Sequence, residues 1–497
     1  MRMGAKMREL LRASIKTGSG TAISMTFAVI SSKIMAIITG PVGIGLYSML
    51  QQLLQTTTTI GSIGGGGTAL TQGVACKKDV ARDEFIRTVF WIFVTASLLV
   101  AVALLILAPW LASISLGASD EVNVGLVRWM AVPLVLNVAL TYLNSVLNGF
   151  REIGRLALMS VAGASVSAIV SYPVSILANT GYPIAFVGML SAQLLAQIAV
   201  ALAKNHHKGY LRPIWSRGLR PRIERVSASS FFNFAGTLLI IGAFSTIVLL
   251  VIRSLIVQYD SLADAGIFNV AWVICISYPM LALNSMGTYF FPTLSQYHDP
   301  QKRTDLIRNV FRLNTLIITP LLVIMILLKP LVIDILYSDQ FNASLGILRW
   351  MLIGVYLKAA SWTFAMPVVA FPDMRVYFWT ENLWWAGWLL FSFLGVAVIG
   401  SMEVIGIGFV ILYVIYLAYY VHYSRNRHGI TLTRRMAVTW FSGLALVVAT
   451  SATSWNGNQI NWPITFSWLA TTALFMWLSL SREEHKWLLR TITHSKK

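Results

Sequence analysis

The hydrophobic positions of this chain fall in long unbroken runs, separated by short polar segments rich in Lys and Arg. A helix needs about 20 apolar residues to cross the hydrocarbon core of a bilayer. Runs of that length stand at 18–39, 44–69, 86–110, 125–147, 155–177, 182–203, 229–256, 265–290, 314–337, 344–368, 376–398, 404–423, 436–452 and 463–481. They are too long and continuous for barrel strands, and open sheet edges are excluded in lipid. The pattern therefore predicts an all-α polytopic membrane protein with about fourteen transmembrane helices.

Composition agrees. Of 497 residues, 57% are hydrophobic and 11% charged, which excludes an ordinary cytosolic enzyme, a disordered chain and a secreted disulfide scaffold. Two cysteines, Cys76 and Cys275, make neither a Cys-rich zinc site nor a disulfide framework. Cys76 adjoins Lys77 and Lys78 in a basic loop and is expected to be reduced in the cytosol. Residues 1–17 are basic, with no apolar core ahead of a small-residue cleavage site, so no cleaved signal peptide is expected.

The charges orient the spans. The net charge is +19, and 32 of the 38 Lys and Arg residues fall in alternate gaps and at the two termini, with none in the intervening gaps. The positive-inside bias then places both termini in the cytoplasm. No gap on the opposite side exceeds about 15 residues, which leaves no room there for a catalytic or binding domain. The basic cluster Arg212 to Arg225 marks the inner surface, where it attracts anionic headgroups rather than nucleic acid.

The two halves repeat at an offset near 221 residues. Val127-Arg128-Trp129-Met130 recurs as Leu348-Arg349-Trp350-Met351, Phe150 and Glu152 as Phe371 and Asp373, and Pro109 as Pro330. Lys33 with Gly45-Leu46-Tyr47 recurs as Arg253 with Gly266-Ile267-Phe268, one residue out of step, and Ala69–Gln72 echoes Thr293–Gln296. Six spans per unit is an even number, so both units insert the same way. This predicts two pseudo-symmetric six-helix lobes around a central cavity, as in transporters built from parallel repeats. The expected division is an N-lobe (1–203), a cytoplasmic linker (204–228), a C-lobe (229–423) and an appended pair of spans with a tail (424–497).

Six basic residues lie within spans: Lys33, Arg128, Arg253, Lys329, Arg349 and Lys358. Charges inside a membrane are costly and face a cavity or snorkel to its edge. Lys358 is near the middle of span ten, and Lys33 and Arg253 lie toward the outer ends of spans one and seven. Arg128, Arg349 and Lys329 begin or end spans, within reach of the interface. Glu381 is the clear acid at that depth, with Asp334 near the outer end of span nine; the first lobe has none. Glu381 is placed either to pair with Lys358 or to couple a cation. A cationic cavity suits a phosphate or diphosphate, whereas an exporter of organic cations calls for carboxylates.

Candidate substrate-binding residues are therefore Lys33, Arg253, Lys358, Arg128 and Arg349. Gln51, Gln52 and Gln55 join them, because a polar run with Thr56–Thr59 in lipid is expensive unless it lines a cavity. Gly61–Gly67 reads as a bend, since no Lys-Ser/Thr follows to make a phosphate cradle. Trp384, Trp385 and Trp388 lie deep in span eleven, open to sugar stacking or to plain packing. The seven histidines sit in loops or at span ends with no metal-ligand spacing, so no cofactor or metal is implied.

The run Lys33 to Tyr47, with its Gly40-Pro41-x-Gly43-x-Gly45-Leu46 element, resembles the first-span signature of O-antigen translocases, the Wzx-type flippases. Leu147–Arg155, Ala265–Ile274 and Phe291–Gln296 are similar to that family too, most closely to lipid III flippases of enterobacterial common antigen synthesis. The likeness spans about residues 15–425 and places the chain in the multidrug/oligosaccharidyl-lipid/polysaccharide exporter superfamily. It implies a bacterial inner-membrane protein, not an enzyme, that moves an undecaprenyl-diphosphate-linked oligosaccharide to the periplasmic leaflet. Its implied partners are that lipid-linked glycan, membrane lipids and the polysaccharide polymerase machinery. Fourteen spans also resemble the lipid II flippase, and a multidrug antiporter shares the fold. A glycosyltransferase, polymerase or ligase fits the short gaps poorly, and an inert scaffold leaves the intramembrane charges unexplained.

Overall fold

The computed structural model describes residues 2–203, 210, 224–297, 299–370, 373–454 and 460–480. Most of the expected 204–228 linker lies outside the described residues, with the basic residues Arg212 to Arg222 in it. Phe371 of the repeat, Trp455 and the histidines His206, His207, His298, His485 and His494 lie outside them too. Among the described residues there is no strand.

The first two expected spans run together as α1 (Arg2–Gly61), broken at Gly40, whose φ of 60° and ψ of −162° are not helical. Before Gly40, Gly20 packs on Ala157 and the Ser31 hydroxyl meets Ser167, so the chain climbs alongside α6 (Ile153–Asn179). Beyond it, Ser48 meets Arg253, Thr56 meets Thr246 and Gly64 meets Leu239, so the chain descends alongside α8 (Arg225–Tyr259). Phe186, just beyond the end of α6, packs on Tyr47, and Arg253, in the last two turns of α8, donates to the Ser48 carbonyl. The helix therefore doubles back at one residue. Only Gly takes that left-handed φ without a steric penalty.

A turn at Ser62–Gly65 ends α1 where the glycine run forecasts a bend, and α2 (Gly66–Cys76) follows. Ile63 holds a φ of 55°, which is unusual for a β-branched residue. Then come α3 (Asp79–Leu116), α4 (Glu121–Trp129), α5 (Ala131–Gly149), α6 and α7 (Ala185–Ala203). The second half holds α8, α9 (Leu262–Gln296), α10 (Pro300–Leu327), α11 (Lys329–Leu336), α12 (Ser344–Ala370), α13 (Met374–Phe393) and α14 (Glu403–His428). Pro330 falls in the first turn of α11, where its missing N–H costs nothing. The chain closes with α15 (Arg434–Thr453) and α16 (Trp462–Ser479).

Twelve of the described helices are long and apolar enough to cross a membrane. The first holds two expected spans folded at Gly40, and α16 occupies the fourteenth, so helices stand at all fourteen expected positions. In the first lobe α1 packs on α3, α5 and α6; in the second α12 packs on α9 and α14. The seam between them is made by α1 and α2 against α8 and α9, with α3 also against α8. The appended pair leans on α10. It is fastened by Lys329, fully buried, whose Nζ donates to the Ser454 carbonyl at 2.8 Å. A buried ammonium needs such an acceptor.

Because residue 40 must hold a positive φ and a Cβ there would lie 2.9 Å from Gln340 Oε1, Gly40→Ala should cost about 1–2 kcal/mol. Gly125→Ala, with nothing within 4 Å of the new methyl, should be neutral or slightly stabilising. Thermal unfolding of the two purified variants, followed by size-exclusion chromatography, distinguishes them; equal midpoints would refute the role of Gly40.

Candidate functional site

Two chambers meet at Trp272, one lined from both lobes along the seam and the other lying wholly within the second lobe. The first, of about 450 Å³, is polar. Gln51, Gln52 and Gln55 reach it from α1, Asn137 from α5, Gln193 and Gln197 from α7, Arg253 from α8 and Asn269 from α9. No Asp or Glu lines it. The second, also about 450 Å³, is aromatic: Trp272, Trp362, Trp384, Trp385, Tyr377, Tyr413 and Tyr416 surround Lys358 and Glu381.

Arg253 is the hinge-pin of the polar chamber. It is buried; Nη1 donates to the Ser48 carbonyl at 3.1 Å and Nη2 to Asn269 Oδ1 at 2.9 Å, while Nε has no acceptor. The guanidinium thus joins α8 to α1 across the seam and still presents charge at the chamber wall. Gln52 and Thr56 donate to one carbonyl, Thr246, at 3.0 and 3.1 Å. Gln52 is therefore spent on holding the lobes together, and Gln51 and Gln55 are the exposed members of the run.

In the aromatic chamber Glu381 Oε1 accepts from the Tyr416 hydroxyl at 2.5 Å. Lys358 lies with its Nζ 5.9 Å from the Tyr413 ring centroid and makes no hydrogen bond or ion pair among the described residues. The direct Lys358–Glu381 salt bridge weighed from the sequence is not formed; the two groups share a chamber with space between them. Of the three deep tryptophans, Trp384 and Trp385 line the chamber, and Trp388 is fully buried behind it, donating to the Ile405 carbonyl at 3.1 Å.

The structure places the other predicted residues outside both chambers. Lys33 lies at the charge-poor end of the bundle, where Nζ donates to the Asp334 and Tyr337 carbonyls of the opposite lobe. Arg349 Nη2 is held by both carboxylate oxygens of Glu403, at 2.8 and 2.7 Å. Its repeat mate Arg128 is exposed on α4 near the same end. The sequence reading missed Gln193, Gln197, Asn137, Asn269 and Trp272. For the two glutamines a signal existed, since polar residues four apart share one face of the otherwise apolar α7. Asn137 and Asn269 are lone amides in apolar runs and carry no such signal.

The fold and the two chambers define a two-lobed membrane transporter, and the comparisons agree. The family model described as polysaccharide biosynthesis protein matches residues 34–345, so the chain belongs to that family. The lipid III flippases of Escherichia coli (strain K12) and Shigella flexneri are each 24% identical over 383 residues, covering 75% of this chain and 88% of theirs. Among solved structures, the lipid II flippase MurJ in an inward closed conformation aligns with a TM-score of 0.72 at 13% identity, over 94% of this chain and 98% of that one. An inward-facing multidrug resistance MATE family transporter of the MOP superfamily aligns at 0.63 and 14% identity, over 82% and 94%. These likenesses establish the shared fold.

Lys33 ties the two lobes at the charge-poor end, so Lys33→Ala should loosen that end. With Cys76→Ser as background, Gln340→Cys reports on it, because Gln340 packs against Gly40 across the seam. Its alkylation by a membrane-impermeant maleimide should rise at least about three-fold in the Lys33→Ala protein, the loss of a charge-assisted hydrogen bond setting the scale. An unchanged rate would mean that Lys33 does not hold the lobes closed.

Proposed function

We propose that the protein is a flippase that carries an undecaprenyl-diphosphate-linked oligosaccharide from the cytoplasmic to the periplasmic leaflet by alternating access. The carrying observation is the charge of the two chambers: Arg253 and Lys358 border adjoining cavities that hold one carboxylate between them. A diphosphate crossing the bilayer needs cations at depth, and Arg and Lys match its oxygens. Gln51, Gln55, Gln193 and Gln197 suit glycan hydroxyls, and Trp272 and Trp385 offer faces on which sugar rings stack. The prenyl tail stays in lipid between the lobes. The printed names of the flippase relatives support the same substrate class.

On this reading the basic end of the bundle faces the cytoplasm of a bacterial inner membrane, with both termini on that side. The N-lobe (1–203) and C-lobe (229–423) rock about the linker, and the pair after residue 424 travels with the C-lobe through Lys329. Glu381 couples an ion or sets the position of Lys358. The glycan is an O-antigen or common-antigen unit, passed to the polymerase machinery. A lipid II substrate is the second reading, favoured by the fold similarity to MurJ. A multidrug antiporter is disfavoured by the polar chamber, which has no carboxylate to hold a cation.

Flipping of fluorescent undecaprenyl-diphosphate oligosaccharide in proteoliposomes tests this. The wild type should flip it, and Lys358→Glu and Arg253→Glu should each reduce the rate at least about ten-fold, since reversal replaces attraction to the diphosphate by repulsion. Normal flux in both variants, or organic-cation efflux under a proton gradient in place of flipping, would overturn the proposal.

A further inference from the structure

A third cavity belongs to neither chamber. It has a volume of about 870 Å³ and opens at the basic end of the bundle, between α2 of the first lobe and α8 of the second. Its polar rim includes Gln72, Lys77, Arg225, Ser229 and Ser230, with Cys76 beside them. Lys77 comes from one lobe and Arg225 from the other. Neither takes part in an ion pair among the described residues; Lys77 rests 4.4 Å from the centroid of the Phe85 ring. Glu224, the residue before Arg225, has its carboxylate engaged by the Ser227 hydroxyl.

An apolar plug separates this vestibule from the chambers above. Phe93 and Phe231 meet edge to face across the seam, centroids 6.2 Å apart. Gly66 lies against both rings, and Gly64 and Gly65 lie against Leu239 and Leu238. The glycines bring no side chains of their own, so the start of α2 packs closely on α8. A ligand held at the vestibule therefore waits below a closed barrier, with the cations of the two chambers beyond it.

We infer that the vestibule is a separate docking site for the diphosphate of the lipid-linked substrate, clamped between Lys77 of the first lobe and Arg225 of the second before the lobes open. The inference rests on the flippase reading and adds a binding step to it. A cation from each lobe matters physically. An anion between them pulls α2 and α8 together at this end, so docking is coupled to the arrangement of the lobes. The prenyl chain stays in the bilayer outside the cavity.

Cys76 supplies the readout, because it is exposed beside Lys77 while Cys275 is buried. Full-length protein in nanodiscs is alkylated with a fluorescent maleimide in the presence of farnesyl diphosphate, farnesol or inorganic pyrophosphate. Farnesyl diphosphate should slow Cys76 labelling at least about five-fold and farnesol should not, with protection lost in the Lys77→Glu/Arg225→Glu double variant. In the liposome assay the same double variant should raise the half-saturating substrate concentration about ten-fold, the scale of one lost charge-assisted contact pair, and leave the maximal rate within two-fold. Unaltered labelling, or protection that survives in the double variant, would overturn the docking site while flipping still sensitive to Lys358→Glu upheld the transport reading. Protection by pyrophosphate as strong as by farnesyl diphosphate would overturn the commitment to a lipid-linked ligand. Protection without flipping would keep the site and sink the transport function.

Discussion

The structure depends on how a membrane protein holds positive charge away from water. An Arg or Lys at mid-bilayer costs roughly 3 kcal/mol even on lenient scales. Five of the six cations within spans are handled by one of three physical means, and the sixth, Arg128, is exposed at the end of its span. Arg253, Lys33 and Lys329 spend their N–H groups on backbone carbonyls or an amide of a neighbouring helix. Arg349 is neutralised by Glu403. Lys358 faces a chamber, and its ammonium has no hydrogen-bond partner among the described residues.

Those contacts also decide what moves with what. Lys329 fastens the appended pair to the second lobe, and Arg349 ties α12 to α14 within it. Arg253, Gln52 and Thr56 bridge the lobes at mid-depth, and Lys33 bridges them at the charge-poor end. At the basic end Phe93 packs on Phe231 and the glycine run packs on α8, with one hydrogen bond from the Glu224 backbone N–H to the Thr88 hydroxyl. Polar ties are directional and are lost as units, whereas apolar and glycine contacts can slide. The seam is held by several polar bonds above and mostly by apolar and glycine surfaces below, which suits two lobes that exchange access.

The chambers divide the labour by chemistry. One offers amides and a guanidinium, the other aromatic faces, an ammonium and a carboxylate held by a tyrosine. On the proposed reading, the hydroxyls, apolar ring faces and diphosphate of a lipid-linked glycan each find a matching surface in the two chambers and the vestibule. Trp272, at the junction, contacts both environments and stacks on Trp388 with ring centroids 5.1 Å apart, so its position is set from behind by a fully buried ring.

Helix number, the bend at the glycine run and the alternation of basic loops were legible in the sequence, because lipid demands uninterrupted apolar length and the positive-inside bias acts on local charge. The depth of Lys358, Glu381 and Arg253 was legible for the same reason: position within a span is a one-dimensional quantity. Which way a side chain points from its helix is not. Lys33 and Arg253 are equivalent in the repeat, yet one ties the lobes at the bundle end and the other walls a chamber. Arg128 and Arg349 are equivalent too, but Arg349 has Glu403 beside it and Arg128 is exposed. Rotation about a helix axis and the approach of residues hundreds of positions apart are fixed by packing, so only the tertiary structure could separate the cations that border a chamber from those that do not.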